Sequence, residues 1–551
     1  MPRHRPTPPL ALPLIAPVLV LLLGIALRTT ALTSALDPPK LVVVIVVDQM
    51  RADYVARFQD TWRGGLKRLL TSGAWVRRAA YPYLETVTCA GHATIATGAF
   101  PHTHGVFQNI WWDRELHKQM TCTQDPRVSN VPYAAGVTGG DSAYRLQVPT
   151  LADALRSERR ARVAAVAVKD RSAIMLAGHG GDAVTWLGDS IDTWQTSPAY
   201  STEPVPAVKS FLDANRISAD FGKVWDRLLP PSLYPTVDDG TGEAPPAGWT
   251  TTFPHALKGT TGKADDSYFG QWLRSPFADA FIGRFAAALV ESLKLGRHEG
   301  TDLLGVSFSS PDLVGHGFGP RSQEVQDMYL NLDRTLAALF DRLDSLVGRD
   351  QWVAALSADH GVTVIPEQLR AEGKDAGRLS PPVMTAAIEK QIEAALGRGP
   401  HVAAIVGDEV YFHEPTAEKL RGSPDLVKSI IKAMAAMPGI DRVFAANDVR
   451  GAEQSKDPAL RAAALSYVPG RSGDLIFVPK PGWIIAARGA THGSATPDDQ
   501  QVPILLLGRG IKPGRYDQPA TPADIAPTLA ALAGIALPRA EGRPLAYVMQ
   551  K

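Results

Sequence analysis

Cysteine is scarce in this sequence: 551 residues hold only Cys89 and Cys122. That excludes a small scaffold stapled by several disulfides and leaves one bridge or two buried thiols. Spacing alone does not set which. Cys89, beside Thr88, also stands as a rival nucleophile, although no cationic neighbour for a thiolate is visible near it. An excess of one charge is lacking too: Lys and Arg number 57, Asp and Glu 56, and the net charge is +1. No global field therefore favours nucleic acid or an anionic membrane surface. There is no long like-charge run and no internal repeat. Long apolar stretches are confined to one, Ala11 to Leu27, broken by Pro13 and Pro17. A protein with several membrane spans is excluded.

That single run has a recognisable setting. Arg3, His4 and Arg5 precede it, and Thr29, Ala31, Thr33, Ser34 and Ala35 follow. This is the layout of a secretory signal peptide over residues 1–35, cut after Ala31 or Ala35. An uncleaved anchor is the rival reading. The run is short for a span and proline-interrupted, which favours cleavage, with no stable membrane span afterwards. The body, residues 36–551, is expected to be exported and periplasmic. Its hydrophobic content of 45% and charged content of 21% are ordinary for a globular chain. The length suits one large unit with insertions, or two domains.

Five apolar runs read as strands buried on both faces: Leu41–Val47, Val163–Val168, Leu303–Phe308, Trp352–Leu356 and Pro503–Leu507. Helical periodicity lies between them, over Phe281–Leu295 and Val325–Leu346. Thr521-Pro522-Ala523-Asp524 opens a further helix near the end. Alternating strands and helices predict an α/β fold with a mostly parallel central sheet flanked by helices. Ser197–Ser267 and Arg370–Pro481 read as inserted cap or side elements.

Charged residues gather just past the strand ends: Asp48, Lys169 and Arg171, Asp312, and Asp359. In open α/β sheets ligands bind outside the carboxyl ends of the strands, so these residues are expected to meet in one crevice. Asp312 and His316 stand four apart, Asp359 and His360 adjoin, and His492 lies in a small-residue loop. Each pair alone reads as a cap, turn or solvated residue. Together, three Asp and three His suit two Zn²⁺ ions, with Mn²⁺ or iron as weaker options. Two metals can clamp the attacking and leaving oxygens of an in-line displacement. Of the thirteen histidines only these three are assigned to metal; His92, His102 and His104 are left as outer neighbours.

A hydroxyl completes the set. Thr86-Val87-Thr88-Cys89-Ala90-Gly91-His92 follows an irregular segment and reads as a helix entry. Backbone N–H groups and the helix dipole there attract an anion, making Thr88 a candidate nucleophile for a phosphate or sulfate ester. The plainer reading is Thr88 as an N-cap.

Taken together, the motifs resemble the alkaline phosphatase superfamily, in its phosphate-irrepressible, PafA-like branch of type I phosphodiesterase/nucleotide pyrophosphatase proteins. They are Val47-Asp48-Gln49-Met50-Arg51, Thr88-Cys89-Ala90-Gly91-His92, Gln108-Asn109, Lys169-Asp170-Arg171, Asp312-x-x-x-His316, Asp359-His360-Gly361 and Thr491-His492-Gly493. The resemblance implies that Asp312, His316 and His492 hold one zinc, and that Asp48, Asp359, His360 and the Thr88 oxygen hold the other. It implies that Thr88 becomes phosphorylated and that Asn109, Lys169 and Arg171 contact the non-bridging oxygens. Lys169 and Arg171 suit the two charges of a phosphate monoester. The expected partners are small-molecule phosphate esters, not nucleic acid. A phosphodiesterase or nucleotide pyrophosphatase is the second reading, and a non-catalytic metal-binding envelope protein a third. Cys89-Ala90-Gly91-His92 does not match a sulfatase nucleophile motif.

Overall fold

The fold is built outward from β1 (Leu41–Val47), seven β-branched or leucine residues that are all buried. A strand so apolar on both faces needs neighbours on both edges and cover on both faces. In the computed structural model β1 lies inside a 10-stranded sheet. The structure describes residues 37–550 except 135, 136 and 138, together with the first two residues. The leader expected over residues 1–35 falls, from residue 3 onward, outside the described residues. Pro38–Gln550 form one compact unit. No helix among the described residues is long and apolar enough to cross a membrane.

The other strands of this sheet are β2 (Ala74–Ala80), β3 (Val131–Pro132), β4 (Val163–Ala167), β5 (Ala183–Leu187) and β6 (Trp194–Thr196), followed by β7 (Asp302–Phe308), β8 (Trp352–Ser357), β9 (Gln501–Gly508) and β10 (Gly514–Ala520). Their order is β10-β2-β9-β8-β1-β7-β4-β5-β6-β3. From β8 through β1, β7 and β4 to β5 the strands run parallel. The fifth apolar run, expected to join that parallel set, instead forms β9, antiparallel to both β8 and β2. The sheet is therefore mixed. An apolar strand reports its burial, not its direction, and direction comes from the connections.

Helices cover both faces. Those that position the site are α1 (Thr88–Thr97), α2 (Asp170–Ala177), α3 (Pro276–Ser292), α4 (Ser310–Phe318) and α5 (Gln323–Leu346). Residues 370–481 include a four-stranded antiparallel sheet and helices with their own apolar cluster, centred on Met384, Ile388, Val410, Ile430, Met434 and Phe477. Residues 197–267 carry the short α-helix Pro206–Ala214, the 3₁₀ turns Ile217–Asp220 and Pro231–Leu233, and a two-stranded pair, Val224–Trp225 with His255–Ala256.

Candidate active site

Register explains why distant residues meet. Val46 is level with Ser307 on β7 and with Ser357 on β8, and Val306 with Val166 on β4. The carboxyl ends of these strands share one edge. Asp48 leaves β1 there, Lys169 leaves β4, Asp359 and His360 leave β8, and Asp312 sits in the first turn of α4. β9 runs the other way, so its amino end reaches the same edge and brings the preceding His492 loop with it. β2 runs antiparallel to β9 and delivers α1, with Thr88 at its first residue.

Asp312 is the pivot of the cluster. Its Oδ2 accepts from Lys169 Nζ at 2.6 Å. Its Oδ1 lies 3.2 Å from His316 Nε2, one helical turn on, and 3.7 Å from His492 Nε2. Lys169 Nζ also meets Asp48 Oδ2 at 2.8 Å, so one ammonium spans two carboxylates. His360 Nε2 is 3.3 Å from Asp359 Oδ2, and its ring stacks on His492 with centroids 3.4 Å apart.

One histidine occupies a place the sequence reading left unassigned. His92 Nε2 is 3.6 Å from Asp48 Oδ1, and its Nδ1 is 3.5 Å from Asp359 Oδ2. Potential ligand atoms therefore form two tight groups, Asp312 with His360 and His492, and Asp48 with His92 and Asp359, each within 4.8 Å. His360 faces both groups, and His316 flanks the first. His92 lies four residues after Thr88, the spacing that puts two side chains on one helix face. That is the signal that could have found it.

Burial and charge oppose each other here. Burial raises the Asp312 carboxyl, but Lys169, His316 and His492 overcome this and hold it well below the usual range. Burial also raises Asp359, and His360, His92 and Lys169 bring it below its ordinary value. Burial lowers Lys169, yet Asp312 and Asp48 leave it raised. His492, desolvated and beside His360 and His316, is pushed well below the ordinary imidazole value.

Thr88 is not a cap. Val87 holds the N-cap position, and the Thr88 hydroxyl makes no hydrogen bond with any described residue. All ten residues of α1 are buried. Gly91 lets the helix approach the end of β8, since a Cβ there would lie 2.1 Å from the Asp359 carbonyl oxygen. Asn109 Oδ1 accepts the Cys89 N–H at 2.8 Å, which leaves its NH₂ group as a donor. Cys89 is bonded to Cys122, so it is neither a free thiol nor a rival nucleophile. Arg171 lines a cavity of about 610 Å³ with Lys169, Leu313, Phe269 and Leu273. Its Nε is buried with no hydrogen-bond partner among the described residues, and one Nη lies 3.4 Å from Asp170.

The donors fit a metal. They are carboxylates and imidazoles with no sulfur, a set that suits Zn²⁺. Asp359 Oδ2 and His360 Nε2 are buried without a hydrogen-bond partner among the described residues, and a cation would satisfy both.

The family model described as "Type I phosphodiesterase / nucleotide pyrophosphatase" matches residues 42–498. The chain belongs to this family. Within the family it is 32% identical to the alkaline phosphatase PafA of Elizabethkingia meningoseptica, over 94% of this chain and 96% of that protein. It is also 32% identical to the alkaline phosphatase PhoV of Synechococcus elongatus, over 91% of each. The crystal structure of wild-type PafA superposes with a TM-score of 0.85 at 31% identity, covering 94% of this chain and all of that one. The family's mixed sheet with inserted elements is the fold described above.

Proposed function

We propose that this chain is an exported alkaline phosphatase that hydrolyses small-molecule phosphate monoesters, with two zinc ions and Thr88 as nucleophile. The observation that carries the reading is the position of Lys169. Its ammonium stands between Asp48 and Asp312, and its neighbour Arg171 has a buried guanidinium nitrogen without a partner. Two cations, Lys169 and Arg171, lining one cavity at this edge of the sheet match a dianionic phosphoryl group, whose charge stays on the equatorial oxygens during transfer. The family likeness at near-full length to proteins named alkaline phosphatases points the same way.

Asp312, His316 and His492 would hold one zinc, and Asp48, Asp359 and His360 the other, with His92 beside the second group. When bound, zinc supplies Lewis-acid stabilisation of charge on the attacking and leaving oxygens. The Thr88 Oγ1–phosphorus bond forms as the ester oxygen–phosphorus bond breaks, leaving a phosphothreonine. Water then attacks the same phosphorus, releases phosphate and restores the hydroxyl. Asn109, fixed by the Cys89 N–H, turns its NH₂ toward one non-bridging oxygen. Lys169 and Arg171 take the others.

Export is proposed from the leader pattern and from the Cys89–Cys122 bond, which persists in an oxidising compartment. The test compares an aryl phosphate with an aryl phosphodiester before and after chelation, with zinc add-back. The wild type should prefer the monoester and depend on zinc, and Thr88→Ala should abolish turnover. Full monoesterase activity in Thr88→Ala refutes the nucleophile, and a strong diester preference replaces the function with phosphodiesterase. Metal uptake without hydrolysis of either ester leaves a metal-binding protein.

A further inference from the structure

Gln49 follows Asp48, is only 2% exposed, and has no ligand chemistry of its own. Its backbone φ is +67°, a left-handed conformation unfavourable for a residue with a Cβ. Such a conformation persists where the surroundings over-determine it. Two hydrogen bonds do so here. The Gln49 backbone N–H donates to Asp359 Oδ1 at 3.0 Å, and its Nε2 donates to Asp312 Oδ1 at 2.6 Å. The side chain also lies against α4 at Gly315, where a Cβ would fall 1.8 Å from Gln49 Oε1. Glycine is the residue that leaves room for it.

One residue thus ties the carboxylate of each ligand group to the other. Lys169 makes a parallel tie, between Asp312 and Asp48. That ammonium also has a third N–H, which is left for a phosphoryl oxygen. The amide of Gln49 carries no charge, is buried, and donates to Asp312 at 2.6 Å.

We propose that Gln49 is a positioning residue that locks the Asp312 carboxylate to the Asp359 turn and so holds the two metal groups in one fixed relation. The inference rests on the two-zinc reading above. Its test uses Gln49→Met, which keeps the volume and loses the donor, and Gln49→Gly, which loses the side chain but relieves the backbone. Zinc retention is followed against a competing chelator, melting is measured on the metal-free proteins, and kcat and KM are measured at saturating zinc. Orienting partners of metal ligands are commonly worth about 10–100-fold in affinity or rate. Both variants should release zinc at roughly 10-fold or more lower chelator strength and lose kcat with KM little changed. Wild-type zinc retention and kcat in both variants overturn the inference. So does a lowered metal-free melting point with zinc retention unchanged, which marks a purely structural residue. Wild-type uptake and turnover, read in the same assays, judge the two-zinc reading separately; a wild type that takes up no zinc overturns both.

Discussion

Replacing Lys169 by methionine should weaken the metal-free protein far more than the zinc-loaded one. Lys169 has 9% of its side chain exposed, against 0% for Asp48 and 4% for Asp312, so all three charges are desolvated. Removing one partner from such a pair costs about 3–5 kcal/mol, because the remaining charge is buried uncompensated. Here two carboxylates lose the same partner. On the two-zinc proposal, Asp48 and Asp312 would hold zinc, whose positive charge would offset the loss. By the thermodynamic cycle, the difference between the two forms must reappear as tighter zinc binding in Lys169→Met, about tenfold per 1.4 kcal/mol. The catalytic effect has the opposite sign. A charge-assisted hydrogen bond to the phosphoryl group is worth about 1.5–3 kcal/mol, or about 10–100-fold in monoester kcat/KM. A diester, with one negative charge, should lose less. Urea unfolding of chelated and zinc-loaded protein, chelator competition, and rates on both ester classes measure each term. Equal destabilisation of the two forms, or an unchanged monoester-to-diester ratio, would refute the role assigned to this ammonium.

Gly91→Ala places a methyl group where the Asp359 carbonyl stands, so α1 must move from the end of β8. Steady-state kinetics should show a fall of about 100-fold in kcat, the scale of a misplaced reacting group. The Cys89–Cys122 bond closes a loop with a sequence separation of 33. Cys89→Ala with Cys122→Ala should lower the unfolding free energy by about 4 kcal/mol on the chain-entropy account, read by chemical denaturation. On α5, burial pushes Glu324 up to about 9, from an ordinary value of 4.5. The folded protein then keeps a proton that the unfolded chain gives up above that ordinary value. Stability from this group is complete below pH 4.5 and is lost as pH rises toward 9, by up to about 1.4 kcal/mol per pH unit. Glu324→Gln should flatten that decline in melting temperature; an unchanged pH profile would contradict it.

How much of this was legible in sequence depended on what each residue reports about itself. Leu41–Val47 announces a doubly buried strand through composition alone, and the charged residues past such runs announce the crevice edge. β2 and β10 were not legible. β2 interrupts its apolar pattern with exposed Arg77 and Arg78, and β10 is largely polar and solvent-facing at the sheet margin. The direction of β9 was hidden for another reason: burial on two faces is the same whichever way a strand runs. The rule that sites lie at carboxyl ends therefore found Asp48, Lys169 and Asp359 but could not account for His492, which arrives on the amino side of an antiparallel strand.

The same distinction separates the residues that a pattern finds from those that a fold creates. Asp312 and His316 declare themselves by helical spacing, and Thr88 with His92 carries an identical four-residue signal that strand-end reasoning passes over. Gln49 carries none. Its role depends on a left-handed backbone turn, on Gly315 making room, and on carboxylates 263 and 310 residues away. Ligands must have the right chemistry, and chemistry is written in residue type. What holds ligands in register need only have the right shape, and any amide in the right place would serve. A site's reacting groups are therefore more legible than its scaffold, although a misplacement of about 1 Å in a reacting group can cost about 100-fold in rate.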